Sequence, residues 1–224
     1  HARAAFLDAP IATLTTGAVD GGAVMTITPE THTFVAGGMV ADPGKVEEGL
    51  KKVAEASQKE ELGMPEVVWN AQSYGELKFH TLSHPTEDED AQQLFGDTLE
   101  IAVGIGEQSV MVAGGRNWLD AVKKVVEDSK ANPNKEVPPV EMIVSLGPFL
   151  EAAAQMADEG DREQIEKIAT MLSQEAPERD KIRVVATAIE NGLRTRFEIE
   201  EGVLRAIGVA FEASQQQQAA GAGF

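Results

Sequence analysis

The feature that most constrains the fold of this chain is that it repeats itself. Phe34-Val35-Ala36-Gly37-Gly38 and Met111-Val112-Ala113-Gly114-Gly115 match at an offset of 77 residues, each closing a β-type run and leading into a helix. Ahead of them, Val24 and Thr26 correspond to Ile101 and Val103, and Glu30 in the first turn to Glu107 in the second. Past the glycines the offset becomes 72, because the first copy has a five-residue longer loop. Val46, Leu50, Val53 and Ala54 then fall on Trp118, Val122, Val125 and Val126, the i, i+4, i+7, i+8 stripe of a helix laid on a sheet. Each helix has its own start signal. Asp42 precedes Pro43 as an N-cap with Pro at the first helical position, and Asn117 with Asp120 has the spacing of a capping box.

A third variant closes the chain. Residues 182–190 and 193–200 flank Asn191-Gly192, a type I′ hairpin signal because that turn needs positive φ at both central residues. The expected register sets Glu190 opposite Leu193. Val184, Ala186 and Ala188 then share a core face with Thr195, Phe197 and Ile199, while Arg183 lies opposite Glu200 and Thr187 opposite Arg196 on a wet face. A helix follows, with Val203, Ile207 and Phe211 at i, i+4, i+8.

These patterns predict an α+β fold, a mainly antiparallel sheet of repeated β-hairpin–α units with helices packed on one face. The expected organisation is one domain over residues 1–213, or two intimately joined halves, with copies at about 24–70, 99–145 and 181–213. Connecting pieces are strands at 67–69, 76–82 and 140–145, an acidic helical turn at 87–95, and helices at 148–156 and 162–175. Asp161, with Gln164 at N3, caps the second of these helices. Residues 214–224, rich in Gln, Ala and Gly, are expected to be a flexible tail.

Composition narrows the function. Nineteen Lys and Arg stand against 37 Asp and Glu in 224 residues, a formal net charge of −18, which argues against phosphate backbones and anionic lipid as partners. No apolar run reaches the roughly 20 residues of a membrane-spanning helix. The chain begins at His1 with no charged n-region and apolar h-region, so any export signal is expected to have been removed or never present. There is no cysteine, which removes disulfides, thiolate nucleophiles and Cys-based metal sites, and leans toward an exported protein.

Several residues invite a chemical role, and each has a structural reading beside it. The Ala-Gly-Gly turns can cradle a phosphate, but their spacing is neither G-x-G-x-x-G nor a P-loop, so Gly37, Gly38, Gly114 and Gly115 are read as close-packing or positive-φ positions. His80 and His84 have an H-x-x-x-H spacing beside Glu87, Asp88, Glu89 and Asp90. On a helix they would share a metal, whereas on the strand that their flanking alternation suggests they stand about 13 Å apart. Pro85 also favours an extended His84. The acidic run lacks the EF-hand pattern. Ser73, Ser83 and Ser145 have no elbow or base marking them as nucleophiles. Arg194 and Arg196 project from one strand face and can bind an anion, but Glu198 and Glu200 continue that face, so ion pairing is the competing use. Trp118 belongs to the core stripe, while Trp69 and Tyr74 flank a loop and can line a ligand groove.

Glu190-Asn191-Gly192-Leu193 through Glu200-Glu201-Gly202-Val203-Leu204-Arg205-Ala206-Ile207-Gly208, with Leu94-Phe95-Gly96-Asp97 ahead of the second hairpin, resembles large uncharacterised exported proteins of planctomycete-type bacteria. The resemblance implies an extracytoplasmic, periplasmic or exported location and brings no activity and no functional residue. The expectation is a non-enzymatic exported domain that binds or scaffolds, with no cofactor. Its candidate ligand-binding residues are Trp69, Tyr74, Arg194 and Arg196, and its partner is a protein or a small apolar ligand. The competing expectations are a metal-dependent hydrolase using His80 and His84, and a carrier of an apolar molecule.

Overall fold

The computed structural model describes residues 2–28, 31–60, 65, 67–86, 92, 95–132, 135, 137–175 and 178–221. These form six helices and nine strands, and the strands make two separate sheets, so the fold is α+β as expected. The chain divides into two compact units, one drawn mainly from residues 1–132 and the other mainly from residues 133–224. The elements expected of one domain are therefore shared between two bodies. The acidic turn expected at 87–95 lies mostly outside the described residues.

The first unit opens with a helix that the hairpin pattern gave no sign of, α1 (Ala2–Thr15), which carries Pro10 inside it. Then come β1 (Gly21–Thr28), β2 (Thr31–Met39), α2 (Pro43–Glu60), β3 (Val67–Tyr74), β4 (Leu77–Pro85), β5 (Thr98–Ile105), β6 (Ser109–Gly115) and α3 (Trp118–Ala131). The six strands form one sheet in the order β1-β2-β6-β5-β4-β3. At its centre the two matching pentapeptides pair antiparallel with each other. Phe34 stands opposite Gly114, Val35 opposite Ala113, Ala36 opposite Val112 and Gly37 opposite Met111.

That pairing explains the glycines. A Cβ on Gly37 would sit 2.9 Å from the Val110 carbonyl oxygen, and one on Gly114 would sit 2.5 Å from the Phe34 ring. At Gly38 it would collide with the Asp20 carbonyl and the Gly21 backbone, so backbone would have to move. Only Gly115 of the four uses a positive φ, 92°. Close approach accounts for the other three.

Side-chain alternation along β4 places the helices. Leu77 and Phe79 point to α3 and join Val35, Ala102, Met111, Ala113, Trp118 and Val122 in the main core, with the Phe79 and Trp118 ring centroids 5.1 Å apart. His80, between them in parity, points the other way, to Glu47 on α2. The sheet therefore carries helices on both faces, not on the one face expected. The stripe of Trp118, Val122, Val125 and Val126 is buried against the sheet as its spacing predicts. Its start differs from expectation: Asn117 adopts φ 57° and makes no side-chain cap, and its carbonyl accepts the N–H groups of Asp120 and Ala121 instead.

The second unit contains β7 (Val140–Ser145), α4 (Leu146–Met156), α5 (Glu159–Glu175), β8 (Lys181–Ile189), β9 (Gly192–Ile199) and α6 (Glu201–Gly221), with sheet order β7-β8-β9. Ile168, Leu172 and Ala206 form its helical core with Leu146, Leu150, Met171, Val209 and Ala210. Helix α5 starts before the expected Asp161 cap, because the Asp158 carbonyl receives the N–H groups of Asp161 and Arg162.

The β8–β9 hairpin is shifted from its expected register. Ile189 faces Gly192 and Ala188 faces Leu193, so the turn residues are Glu190 and Asn191. Only Asn191 is left-handed, at φ 61°, so the two-residue left-handed turn does not form. Relative to expectation each residue faces a partner two positions earlier on β9, which preserves every side chain's face. On α6 the buried positions are Val203 and Ala206, whereas Ile207 and Phe211, expected on the same stripe, are exposed. The helix also runs on to Gly221, through residues expected to form a tail; its Gln and Ala residues are good helix formers.

Replacing Phe79, which is fully buried, with Ala is expected to cost about 3–5 kcal/mol of unfolding free energy. G38A is expected to destabilise as well, since its new methyl group meets backbone on a paired strand. Urea unfolding of both variants checks these outcomes.

Candidate functional site

Two places in the structure concentrate unusual features. In the first unit, β3 breaks register with β4 between Val68 and Gln72, and Asn70 inside that bulge has φ 52°. A bulge removes an N–H from the ladder. His80 supplies the missing acceptor, its Nδ1 lying 3.0 Å from the Asn70 nitrogen. Because Nδ1 accepts, the neutral ring carries its proton on Nε2. That atom is buried without a hydrogen-bond partner, and Glu47 Oε1 lies 4.0 Å away, beyond hydrogen-bond reach.

The surroundings keep this imidazole neutral. Its side chain is 2% exposed, and desolvation lowers its pKa below the ordinary value, opposed by the Glu47 carboxylate and reinforced by Lys51. Lys51 also binds Glu47 at 2.6 Å, and this bond holds the carboxyl pKa down. Trp69 closes the niche, with its ring centroid 4.9 Å from that of His80 and the Lys51 ammonium 5.7 Å above it. The arrangement clamps the bulge.

The structure separates the residues that the sequence singles out. Trp69 faces α2, whereas Tyr74 lies against α3 and donates its hydroxyl to Glu127 at 3.0 Å, so the two aromatics do not line one groove. His80 and His84 both lie on β4, where four residues of extended chain put them about 13 Å apart. His84 sits in the open, with Nδ1 2.7 Å from the Pro85 carbonyl oxygen. Among the described residues no group of three His, Asp or Glu side chains is placed to hold a metal ion. An open cleft of about 320 Å³ lies at the start of α3, beside Arg116 and Asn117, where the Trp118 indole donates to Glu100 at 2.7 Å. Indole and carboxylate satisfy each other there.

The second place is the β7-β8-β9 sheet. One face sets Val144, Met142 and Val140 beside Ile182, Val184 and Ala186 in turn, and these beside Ile199, Phe197 and Thr195. Of these, Phe197 is 70% exposed, Met142 50% and Val144 42%; Leu193 at the hairpin end is 64% exposed. The sequence reading assigns part of this face to a core, because alternation cannot tell a face that is covered from one that is left open.

The opposite face carries charge, interleaved with Ile143 and Val185. Arg183 donates to Glu141 at 2.6 Å and to Glu198 at 3.2 Å, and Arg196 reaches Glu198 at 2.9 Å. Arg194 stands two residues along the same face. Ion pairing of Arg196 therefore accompanies any anion-binding role. Signals for the His80 clamp and the open face were thin: a lone His on an alternating strand, and a row of apolar residues that looks like any core strand.

The chain matches no protein-family model, no curated protein and no solved structure.

His80 sets a pH dependence. Its pKa is lower in the folded protein than in the unfolded chain, so below about pH 6.5 the unfolded chain takes up a proton that the folded one resists. Stability is expected to be full above that pH and to fall as the pH drops through it. H80Q should flatten this part of the profile, measured as urea midpoints on either side of it.

Proposed function

We propose that the chain is a non-enzymatic, extracytoplasmic binding or scaffolding domain that receives an apolar protein surface on the open face of β7, β8 and β9. One observation carries this reading: Val140, Met142, Val144, Leu193, Phe197 and Ile199 lie on one sheet face and are each 42–70% exposed. Contiguous exposed apolar patches beyond a few hundred Å² mark interaction sites. The face is broad and open, which suits a protein surface better than a small enclosed ligand.

Other features support the reading. His80 and His84 are too far apart on β4 for a hydrolase built on both. The absence of cysteine and the resemblance to exported proteins favour a place outside the cytoplasm. A net charge of −18 disfavours nucleic acid, and no helix among the described residues is long and apolar enough to cross a membrane. Repetition of the hairpin-and-helix unit fits a scaffold, since it multiplies sheet surface without adding reactive groups.

The test pairs an apolar probe with site-directed photocrosslinking. The L193S/F197S variant is expected to keep its circular dichroism while losing most of the fluorescence that the native chain induces in anilinonaphthalene sulfonate. A photoreactive residue at 197 should crosslink a protein other than this chain in an extract of the source cells, whereas one at 194, on the charged face, should not. Unchanged dye fluorescence in the variant, or equal crosslinking from both positions, refutes the reading.

A further inference from the structure

We infer that two copies of this chain join edge to edge through β9, antiparallel, about a two-fold axis at Phe197. Among the described residues β9 has β8 on one side of it in its sheet and no strand on the other. Such an edge is a template for a further strand unless charge, Pro or a bulge blunts it. From Gly192 to Ile199 the strand has no Pro, and its pairing with β8 runs without a register break.

The backbone fixes which residues point outward. Just past the strand, the Glu200 N–H donates to the Lys181 carbonyl at 3.0 Å. Bonded and non-bonded positions alternate in an antiparallel ladder, so 194, 196 and 198 turn their N–H and C=O groups to β8. Residues 193, 195, 197 and 199 turn theirs to the open edge. Phe197 can then exchange both backbone hydrogen bonds with Phe197 of a second copy.

The charges select that register. Along one face the strand reads Arg194, Arg196, Glu198, Glu200, positive in its first half and negative in its second. With Phe197 opposite itself, Arg196 faces Glu198 of the other copy and Arg194 faces Glu200, so all four pairs are of opposite sign. Moving the axis by one residue sets Arg196 against Arg196 or Glu198 against Glu198, which like-charge repulsion disfavours. Two Arg and two Glu leave this strip locally neutral on a chain of net charge −18. On the other face Phe197 meets Phe197 and Thr195 meets Ile199.

The first unit already contains this arrangement. There β2 and β6, each the second strand of a strand-strand-helix succession, pair antiparallel in the order β1-β2-β6-β5. β9 holds the same place in the succession β8-β9-α6. Pairing with a second copy gives the order β7-β8-β9-β9-β8-β7, a sheet of the same strand number as the first unit's. The inference rests on the backbone edge and the charges of β9, and its readout is the mass of the chain alone rather than dye binding or capture of another protein, so its failure is distinguishable from that of the proposed function.

The experiment is sedimentation equilibrium on the full chain from micromolar to near-millimolar concentration. The native protein is expected at twice 23.9 kDa. R194E/R196E and E198R/E200R should each sediment as monomers, and an equimolar mixture of the two should recover the dimer mass. T195P, which removes an outward N–H without touching the β8 ladder, should be monomeric. A native monomer throughout, a dimer that survives in R194E/R196E or T195P, or folded charge variants that do not recombine on mixing would each overturn the inference. If E198R/E200R fails to fold, R194E/R196E and T195P decide it alone.

Discussion

The first unit depends on one contact between distant parts of the chain, the pairing of β2 with β6. It joins β1 on one side to the β5-β4-β3 meander on the other, and it sets Val35, Met111 and Ala113 into the layer on which α3 packs. The approach is close enough that Gly37, Gly114 and Gly115 have no space for a side chain across the pair, while Gly38 has none against the backbone of Asp20 and Gly21 on its other side. Just beyond the last of them, the Thr33 hydroxyl donates to the Arg116 carbonyl at 2.6 Å, fastening the strand pair where the chain turns into α3. Packing, turn and helix start all follow from that seam.

Much of this was legible in the residues. The matched pentapeptides indicated special backbone, and the Trp118, Val122, Val125, Val126 stripe located a buried helix face. Periodicity gives faces but not what covers them, so the expectation of helices on one face misses that α2 and α3 lie on opposite sides of the sheet, and the expectation of a β9 core face misses that it is open. Turn chemistry gave the hairpin but not its register. There, one left-handed Asn191 sufficed where two such residues were expected. The break at Asn70 left no mark in composition, because a bulge is a relation between two strands and appears only once the acceptor on His80 is in place.

The two units handle polar groups in contrasting ways. In the first, a neutral imidazole is enclosed between Trp69 and α2 to satisfy one stray backbone donor, and the main cluster against α3 is apolar. In the second, ion pairs spread over an exposed strand face, where each pair contributes only about 0–1 kcal/mol. Burial in the first unit supplies cohesion. His80 and His84, four residues apart on β4, stand about 13 Å from each other.

The chain order of the central seam bears on how the first unit is made. β2 is complete by residue 39, but its partner β6 begins only at residue 109, with α2 and three further strands between them. During synthesis the first hairpin and its helix emerge long before the strand that completes their sheet. Long-range pairing of this kind slows folding, since the intervening loop must close before the contact stabilises anything. The β8–β9 hairpin and α6 are assembled from neighbours in sequence and need no such wait. That hairpin and helix, although made after the first unit, are thus suited to reach their native form in the shorter time.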